Sequence, residues 1–144
     1  MAHQQQFCTF SLEGLFFGVE VQRVQEVIRY QEMTRIPLAP RVVRGLMNLR
    51  GQIVTAIDLR RRLGLPERAS QRQSFNVVLR DEGAQVSLLV DEIGDVLDVE
   101  ASAFEPAPQT LQGPFRELVL GAYKLDARLL LVLDTDRATA PEHL

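Results

Sequence analysis

The sequence predicts a mainly β protein with closed or sandwiched sheets. Nine or ten short segments carry strand patterns, and glycine, proline and aspartate separate them. Three or four helical patterns are present, and each is too short to cross over between parallel strands. The longest apolar run, Leu129–Leu133, is far shorter than the roughly 20 residues of a membrane-spanning helix. The 144 residues are therefore expected to form one domain around a sizeable core.

The first expected element is a β-hairpin. Phe7–Leu12 and Leu15–Val19 carry strand patterns, and Glu13-Gly14 between them is a turn signal. The apolar residues that follow recur at helical spacing. This spacing predicts one or two helical turns with a common face formed by Val21, Val24 and Ile28.

An irregular connector follows, marked by Pro37 and Pro40. Residues 28–36 are expected to be extended, since a residue before proline avoids the helical region. Residues 41–44 fit a short helical turn that Gly45 would stop.

The most informative stretch is the turn pattern Asn48-Leu49-Arg50-Gly51. Apolar runs flank it on both sides, which predicts a strand, a tight turn with Arg50 at its tip, and a second strand. Arg50 has two interpretations. It is either an ordinary turn residue beside a glycine that supplies positive φ, or a rigid donor fork for a partner's carboxylate. Strand alternation assigns the neighbouring residues to two faces: Leu46, Asn48 and Arg50 on one, Met47 and Leu49 on the other.

Residues 58–64 predict a short helix with Asp58 as its N-cap and Gly64 as its stop. A polar loop over residues 66–73 follows. The remaining elements are expected at residues 75–80 and 85–90 (a hairpin around 81–84), 96–99 (a strand), 101–104 (a helical turn), 118–125 and 128–133 (a hairpin), and 134–138 (a short helix).

The residue types needed for catalysis are scarce. His3 and His143 are the only histidines, and both lie near termini, where fixed geometry is rare. Cys8 lies in a strand pattern beside aromatic residues, which favours a buried thiol over a reactive one. Phosphate-loop and dinucleotide fingerprints are missing from the sequence. We therefore expect no catalytic, cofactor or metal site. The densest acidic group is read as a solvated strand edge or turn: Asp91, Glu92, Asp95 and Asp98.

Charge is unevenly distributed along the chain. Residues 23–80 carry twelve arginines against four acids, whereas residues 81–144 carry thirteen acids against four bases. Such a split either steers partners or disappears when the segments mix on folding. The run Arg60-Arg61-Arg62 is interpreted as a solvated helix face rather than a nucleic-acid site, because the pI of about 5.4 is acidic and aromatic residues are few.

Several blocks, in order, resemble the CheW family of chemotaxis coupling proteins. They are the opening hairpin over residues 7–19, Val24 to Val27, the Thr34 to Pro40 connector, Gly45 to Gly51 followed by Ile57 to Arg60, and Leu89 to Ile93. The resemblance implies two small five-stranded SH3-like β-barrels that share a core, with a few short helices. It implies one CheW-like domain over residues 1–144, with frayed ends at about residues 1–5 and 140–144.

Members of that family are adaptors without catalytic activity. The resemblance implies two partners for this chain, the cytoplasmic tip of methyl-accepting chemoreceptors and the regulatory domain of a CheA-type histidine kinase. It implies a cytoplasmic protein recruited to membrane-bound receptor arrays, with no cofactor and no membrane insertion. A non-motility pathway with the same components, and a nucleic-acid-binding β-barrel, remain as alternatives.

The resemblance also supplies binding candidates. The family places the block around Val24 and Glu26 beside the groove that receives the receptor tip, although Glu26 also fits a solvated position. Gly45 either stops a turn or keeps that groove open. The complete set of candidates for receptor or kinase binding is Val24, Glu26, Gly45, Leu46, Asn48, Arg50, Gly51 and Asp58.

Overall fold

The computed structural model describes residues 4–70, 73–80 and 85–140 and confirms the mainly β class. Eleven strands in these ranges form two sheets. The first sheet has the strand order β8-β1-β2-β11-β10-β9. Its strands are β1 (Gln4–Leu12), β2 (Leu15–Glu20), β8 (Glu92–Glu100), β9 (Glu105–Pro106), β10 (Val119–Lys124) and β11 (Leu129–Leu133).

The second sheet has the order β3-β6-β7-β5-β4. Its strands are β3 (Val24–Arg29), β4 (Val43–Leu49), β5 (Gln52–Asp58), β6 (Phe75–Leu79) and β7 (Gln85–Val90). The expected five-stranded units are thus confirmed, and the two-residue β9 adds a sixth strand to the first sheet.

Pairing is mostly antiparallel between strands that are neighbours in sequence. The expected hairpins β1–β2, β4–β5, β6–β7 and β10–β11 all form, although the turn at residues 81–84 lies outside the described residues. Two parallel pairs, β5–β7 and β2–β11, then connect segments that are distant in the chain. Gln4 and Gln5 pair with Glu100 and Val99 of β8.

One hydrophobic core lies between the two sheets, as the shared-core expectation requires. It combines Phe10 and Phe17 of the first sheet with Ile57 and Leu88 of the second, all at most 1% exposed. Because side chains alternate along a strand, Phe7 and Phe16 point to the opposite face of the first sheet, where they form a smaller apolar cluster.

The helices are short. They are α1 (Leu59–Arg62), α2 (Pro114–Leu118) and α3 (Thr135–Thr139), with single 3₁₀ turns at Val21–Arg23 and Ala101–Ala103. The Asp58 side chain accepts a hydrogen bond from the Arg61 N–H and caps α1 as expected, and Asp134 caps α3 in the same way through the Arg137 N–H. In the described residues, no helix is long and apolar enough to cross a membrane.

Two helical predictions are wrong. The turn after Val21 ends at Arg23, and Val24–Arg29 is a strand in which every second residue is at least half-buried. The helical turn expected at residues 41–44 is replaced by β4, which begins at Val43 and contains Gly45. Both segments lie at sheet edges, where pairing with the neighbouring strand of the sheet, β6 for the first and β5 for the second, outweighs local spacing.

Helix α2 was not predicted from the sequence. The predicted strand over residues 118–125 begins at Leu118, which is the last residue of this helix. The signal was present in Gly113-Pro114. Proline is favoured at the first position of a helix, and Gly113 adopts the positive φ of 63° just before it.

Candidate docking surface and its framework

The β4–β5 turn positions Arg50 at the surface. Leu49 pairs with Gln52, so Arg50 and Gly51 form a two-residue loop with φ values of 50° and 86°. A type I′ turn requires positive φ at both central positions, which asparagine and glycine adopt more readily than arginine. The Asn48 side-chain oxygen accepts a hydrogen bond of 2.9 Å from the Gly51 N–H and fixes this turn. Arg50 therefore occupies a position that turn chemistry alone does not favour.

Arg50 forms an ion pair with Glu26. Its Nη2 atom lies 2.6 Å from each Glu26 carboxylate oxygen. The Arg50 side chain is 68% exposed and the Glu26 side chain 25% exposed. The pair links the β4–β5 turn to β3, although β3 and β4 are the two edges of the second sheet. An ion pair this exposed stabilises a fold by about 0.2–1 kcal/mol, so stability does not explain it well.

An apolar residue borders this pair. Ile53 pairs with Asn48 across β4 and β5, and directly opposite residues of an antiparallel pair project to the same face. Ile53 is 58% exposed, Asn48 is exposed and Leu46 is half-buried, whereas Met47 is 3% exposed. The predicted alternation is thus confirmed. Leu46, Asn48, Arg50, Ile53 and Glu26 are called the Arg50 surface below.

Sequence reasoning missed Ile53. The signal was the alternation of β5, which buries Val54 and Ala56 and turns Ile53 outward. A half-apolar, half-charged patch of this kind matches the composition of modest protein–protein interfaces.

Three candidate residues lie inside the framework instead. Val24 is 8% exposed and packs in the main core. Asp58 is 2% exposed, caps α1, and lies 3.6 Å from Arg44 and from Arg61. Gly45 is buried, and a Cβ atom there would lie 2.8 Å from the Thr34 carbonyl oxygen. We assign these three an internal role rather than contact with a partner.

Gly45 allows the connector to lie against β4. Thr34 and Leu46 exchange two backbone hydrogen bonds of 2.8 Å, each N–H donating to the other residue's carbonyl. The side chain that Gly45 lacks would collide with this segment of its own chain. The first interpretation, a helical stop, is wrong; the contact that requires glycine is with residues 33 and 34.

A second group of ion pairs connects the two sheets through Arg60. Arg60 Nε and Nη2 donate to the two Asp91 carboxylate oxygens at 2.7 and 2.6 Å. Arg60 Nη1 also lies 2.5 Å from Glu13 Oε2 and donates to the Pro66 carbonyl at 2.6 Å. Glu13 belongs to the β1–β2 turn, so this group ties α1 to the first sheet.

Two expectations fail at this group. Arg60 and Arg62 are 9% and 8% exposed, so the arginine run is not a solvated helix face. Asp91 has an ion-paired side chain only 12% exposed, whereas Glu92, Asp95 and Asp98 are exposed as expected. Burial raises the pKa of Asp91, but hydrogen bonds from Arg60 and from the Glu13 N–H outweigh it and hold that pKa below its ordinary value.

The described residues contain no group of three or more histidine, cysteine or acidic side chains that could hold a metal ion. Cys8 is half-buried, and burial raises the pKa of its thiol. A raised pKa lowers the thiolate fraction near neutral pH, which is the reverse of what a nucleophilic cysteine needs.

Comparison with known proteins confirms the resemblance. A family model described as a CheW-like domain matches residues 6–141. Several relatives bear the name Chemotaxis protein CheW, among them proteins of Klebsiella aerogenes and Bacillus subtilis. The protein of Klebsiella aerogenes is 31% identical over 140 residues, covering 97% of this chain and 84% of the relative. The Bacillus subtilis protein is 30% identical over 132 residues, covering 92% and 85%.

A solved structure agrees with these relatives. The scaffolding protein TtCheW from Thermoanaerobacter tengcongensis superposes with a TM-score of 0.83 at 27% identity, covering 92% of this chain and 90% of that one. Both the family match and the structural match extend over nearly the whole chain. This chain belongs to the CheW-like domain family.

Proposed function

We propose that this protein is a non-catalytic adaptor that couples methyl-accepting chemoreceptors to a CheA-type histidine kinase in chemotaxis. Its relatives are named chemotaxis proteins, and a structural neighbour is named a scaffolding protein. The adaptor holds the kinase close to the receptor tip, which raises their effective concentration and links their conformational states. It works in the cytoplasm, at receptor arrays.

The observation that carries the proposal is the ion pair between Arg50 and Glu26. In the family, the block containing Glu26 borders the groove for the receptor tip. Because Arg50 is bonded to Glu26, both residues belong to one surface, and we assign that surface to the receptor. Arg50 Nη2 faces Glu26, while in the described residues Nε and Nη1 of Arg50 have no hydrogen-bond partner and remain available to a partner's acceptor groups.

The kinase contact is assigned to a different surface, so that both partners bind at once. Each contact is expected to be modest in area, with affinity in the micromolar range. The nucleic-acid alternative loses its main support, since two of the three arginines in the run Arg60-Arg61-Arg62 are buried.

The test is a binding assay with a purified receptor signalling fragment and a purified CheA regulatory domain, separately and together. Wild-type protein is expected to bind each alone and to bring both into one complex. Arg50→Glu should weaken receptor binding by about 1–3 kcal/mol, as for an interface hot spot, and leave kinase binding unchanged. Arg116→Glu is the matched control, because Arg116 is an exposed arginine with no side-chain partner among the described residues.

A charge swap separates contact from internal support. The double variant Glu26→Arg/Arg50→Glu keeps an ion pair inside the domain but reverses both charges. Continued loss of receptor binding in the swap supports direct contact by this surface. Recovery of binding would mean that only the internal pair matters, and would contradict the assignment. Failure of the wild type to bind either fragment would overturn the adaptor function, and a swimming assay of a deletion strain distinguishes chemotaxis from a non-motility pathway.

A further inference from the structure

An open groove of about 520 Å³ lies at the far end of β4 from Arg50. Four arginines line it, Arg35, Arg41, Arg44 and Arg61, and most of the other lining residues are apolar. Arg44 and Arg50 are six positions apart on one extended strand and its turn, so they are separated by about 20 Å. The groove is therefore a separate site from the Arg50 surface, and the inference below is independent of the proposed function.

The arginines of the groove are not fully neutralised. Glu67 lies 2.5 Å from Arg61 and 3.2 Å from Arg41, and Asp58 lies 3.6 Å from Arg44 and Arg61. In the described part of the chain, two carboxylates thus face four guanidinium groups. Among the described residues, the Arg35 side chain has no hydrogen bond or ion pair, and the Arg41 side chain is 72% exposed. The groove therefore has an excess of positive charge that the carboxylates of the described residues do not neutralise.

The connector that forms one wall also carries an unusual leucine. Leu38 is fully exposed and has a φ of 66°, in the left-handed region that glycine adopts more easily. It lies in a tight turn that the hydrogen bond from the Ala39 N–H to the Ile36 carbonyl closes at 3.3 Å. The Leu38 side chain is not buried against any other part of the described structure, so folding does not account for a leucine at this position. Ile36, which lines the groove, is itself 38% exposed.

We propose that this groove binds an acidic, amphipathic segment of a partner protein. The partner's carboxylates would pair with Arg35 and Arg41, since the planar guanidinium fork matches a carboxylate. An apolar side chain of the same segment would contact Leu38 and Ile36. The alternation of charged and apolar groups is typical of a peptide and unlike a phosphate backbone. Among the described residues that line the groove, Tyr30 is the only aromatic one, and they offer no row of stacking platforms for bases.

The test uses full-length protein and a fluorescein-labelled peptide of twelve residues in which glutamate alternates with leucine. A second peptide with glutamine in place of glutamate is the probe control. Fluorescence anisotropy at about 50 mM salt is expected to show binding of the acidic peptide only, and the affinity should fall at 300 mM salt, where the Debye length is shorter.

Two variants locate the site. Arg35→Glu is expected to lower the affinity for the acidic peptide at least tenfold. Arg116→Glu, the same charge change elsewhere on the surface, should change that affinity less than twofold. Arg35 is exposed and makes no hydrogen bond or ion pair in the described residues, so its variant should fold normally. Leu38→Gly should weaken binding severalfold without lowering the melting temperature, because glycine suits the positive φ.

Three results would overturn the proposal. An equal loss of affinity in Arg35→Glu and Arg116→Glu would mean that the overall charge of the protein, and not the groove, explains peptide binding. Equal affinity for the glutamine peptide would show that the groove does not recognise carboxylates. Tighter binding of a single-stranded oligonucleotide, or of vesicles rich in anionic lipid, would assign the groove to a different class of partner.

Discussion

Replacing Arg60 by methionine tests whether the Arg60 group holds the two sheets together. The change keeps most of the side-chain volume. It removes the positive charge of Arg60 and the two hydrogen bonds that Arg60 donates to the Asp91 carboxylate. Asp91 would then be a carboxylate with a side chain only 12% exposed and without its main partner. Removing one member of a buried ion pair costs about 3–5 kcal/mol, because the other charge stays buried.

The structure places the expected cost near the lower end of that range. Arg68 Nη1 lies 3.6 Å from Asp91 Oδ1, and the Glu13 N–H still donates to Asp91 at 3.0 Å, so the carboxylate is not left alone. We therefore expect Arg60→Met to lower the free energy of unfolding by about 3 kcal/mol at pH 7. Urea unfolding followed by circular dichroism measures this value. The double variant Arg60→Met/Asp91→Leu should recover much of the loss, since it removes both charges together.

The pH dependence gives a second readout. The folded-state pKa of Asp91 lies below that of an unfolded aspartate. Its stabilisation is therefore complete above the unfolded pKa of about 3.9 and is lost as pH falls through the lower folded value. Arg60→Met should lose part of this acid-side slope. A loss below about 1 kcal/mol, with no recovery in the double variant, would refute the view that this pair is a buried structural connection.

The other predictions concern single positions. Arg50→Glu should leave the free energy of unfolding in urea within about 1 kcal/mol of the wild type while receptor binding falls, because an exposed ion pair contributes little to stability; a larger loss of stability would make Arg50 structural. Gly45→Asp should lower the melting temperature and weaken binding to both partners, because its Cβ would lie 2.8 Å from the Thr34 carbonyl oxygen and displace the connector. Selective loss of binding to one partner at unchanged stability would contradict this. Cys8 should react with iodoacetamide more slowly than a model peptide thiol at pH 8, with the rate rising above pH 9, because burial raises its pKa; equal rates would show an accessible thiol.

Local sequence patterns were reliable where a short segment determines its own structure. The β4–β5 hairpin, the Asp58 cap and a short terminal helix all formed as expected, since each depends on residues within a few positions. The face on which Asn48 lies followed from alternation alone.

Local patterns failed where pairing with another segment decides the structure. Val24–Arg29 has apolar residues at a helical spacing, yet it pairs with β6 about 50 residues later. Gly45 reads as a helical stop, yet it lies in β4, which pairs with β5 and exchanges backbone hydrogen bonds with the Thr34 segment. In both cases backbone hydrogen bonds between segments outweigh a weak local preference.

The sequence by itself determined the β class, the hairpins, the family resemblance and the residue at the tip of the β4–β5 turn, because period-two alternation and turn chemistry are local properties. Only the tertiary structure decided which charges are used within the fold. It paired Arg50 with Glu26, buried Arg60 against Asp91, and left Arg35 and Leu38 exposed beside the groove. Side chains with the same charge in the sequence thus differ in environment, since burial and ion pairing depend on which segments the two sheets bring together.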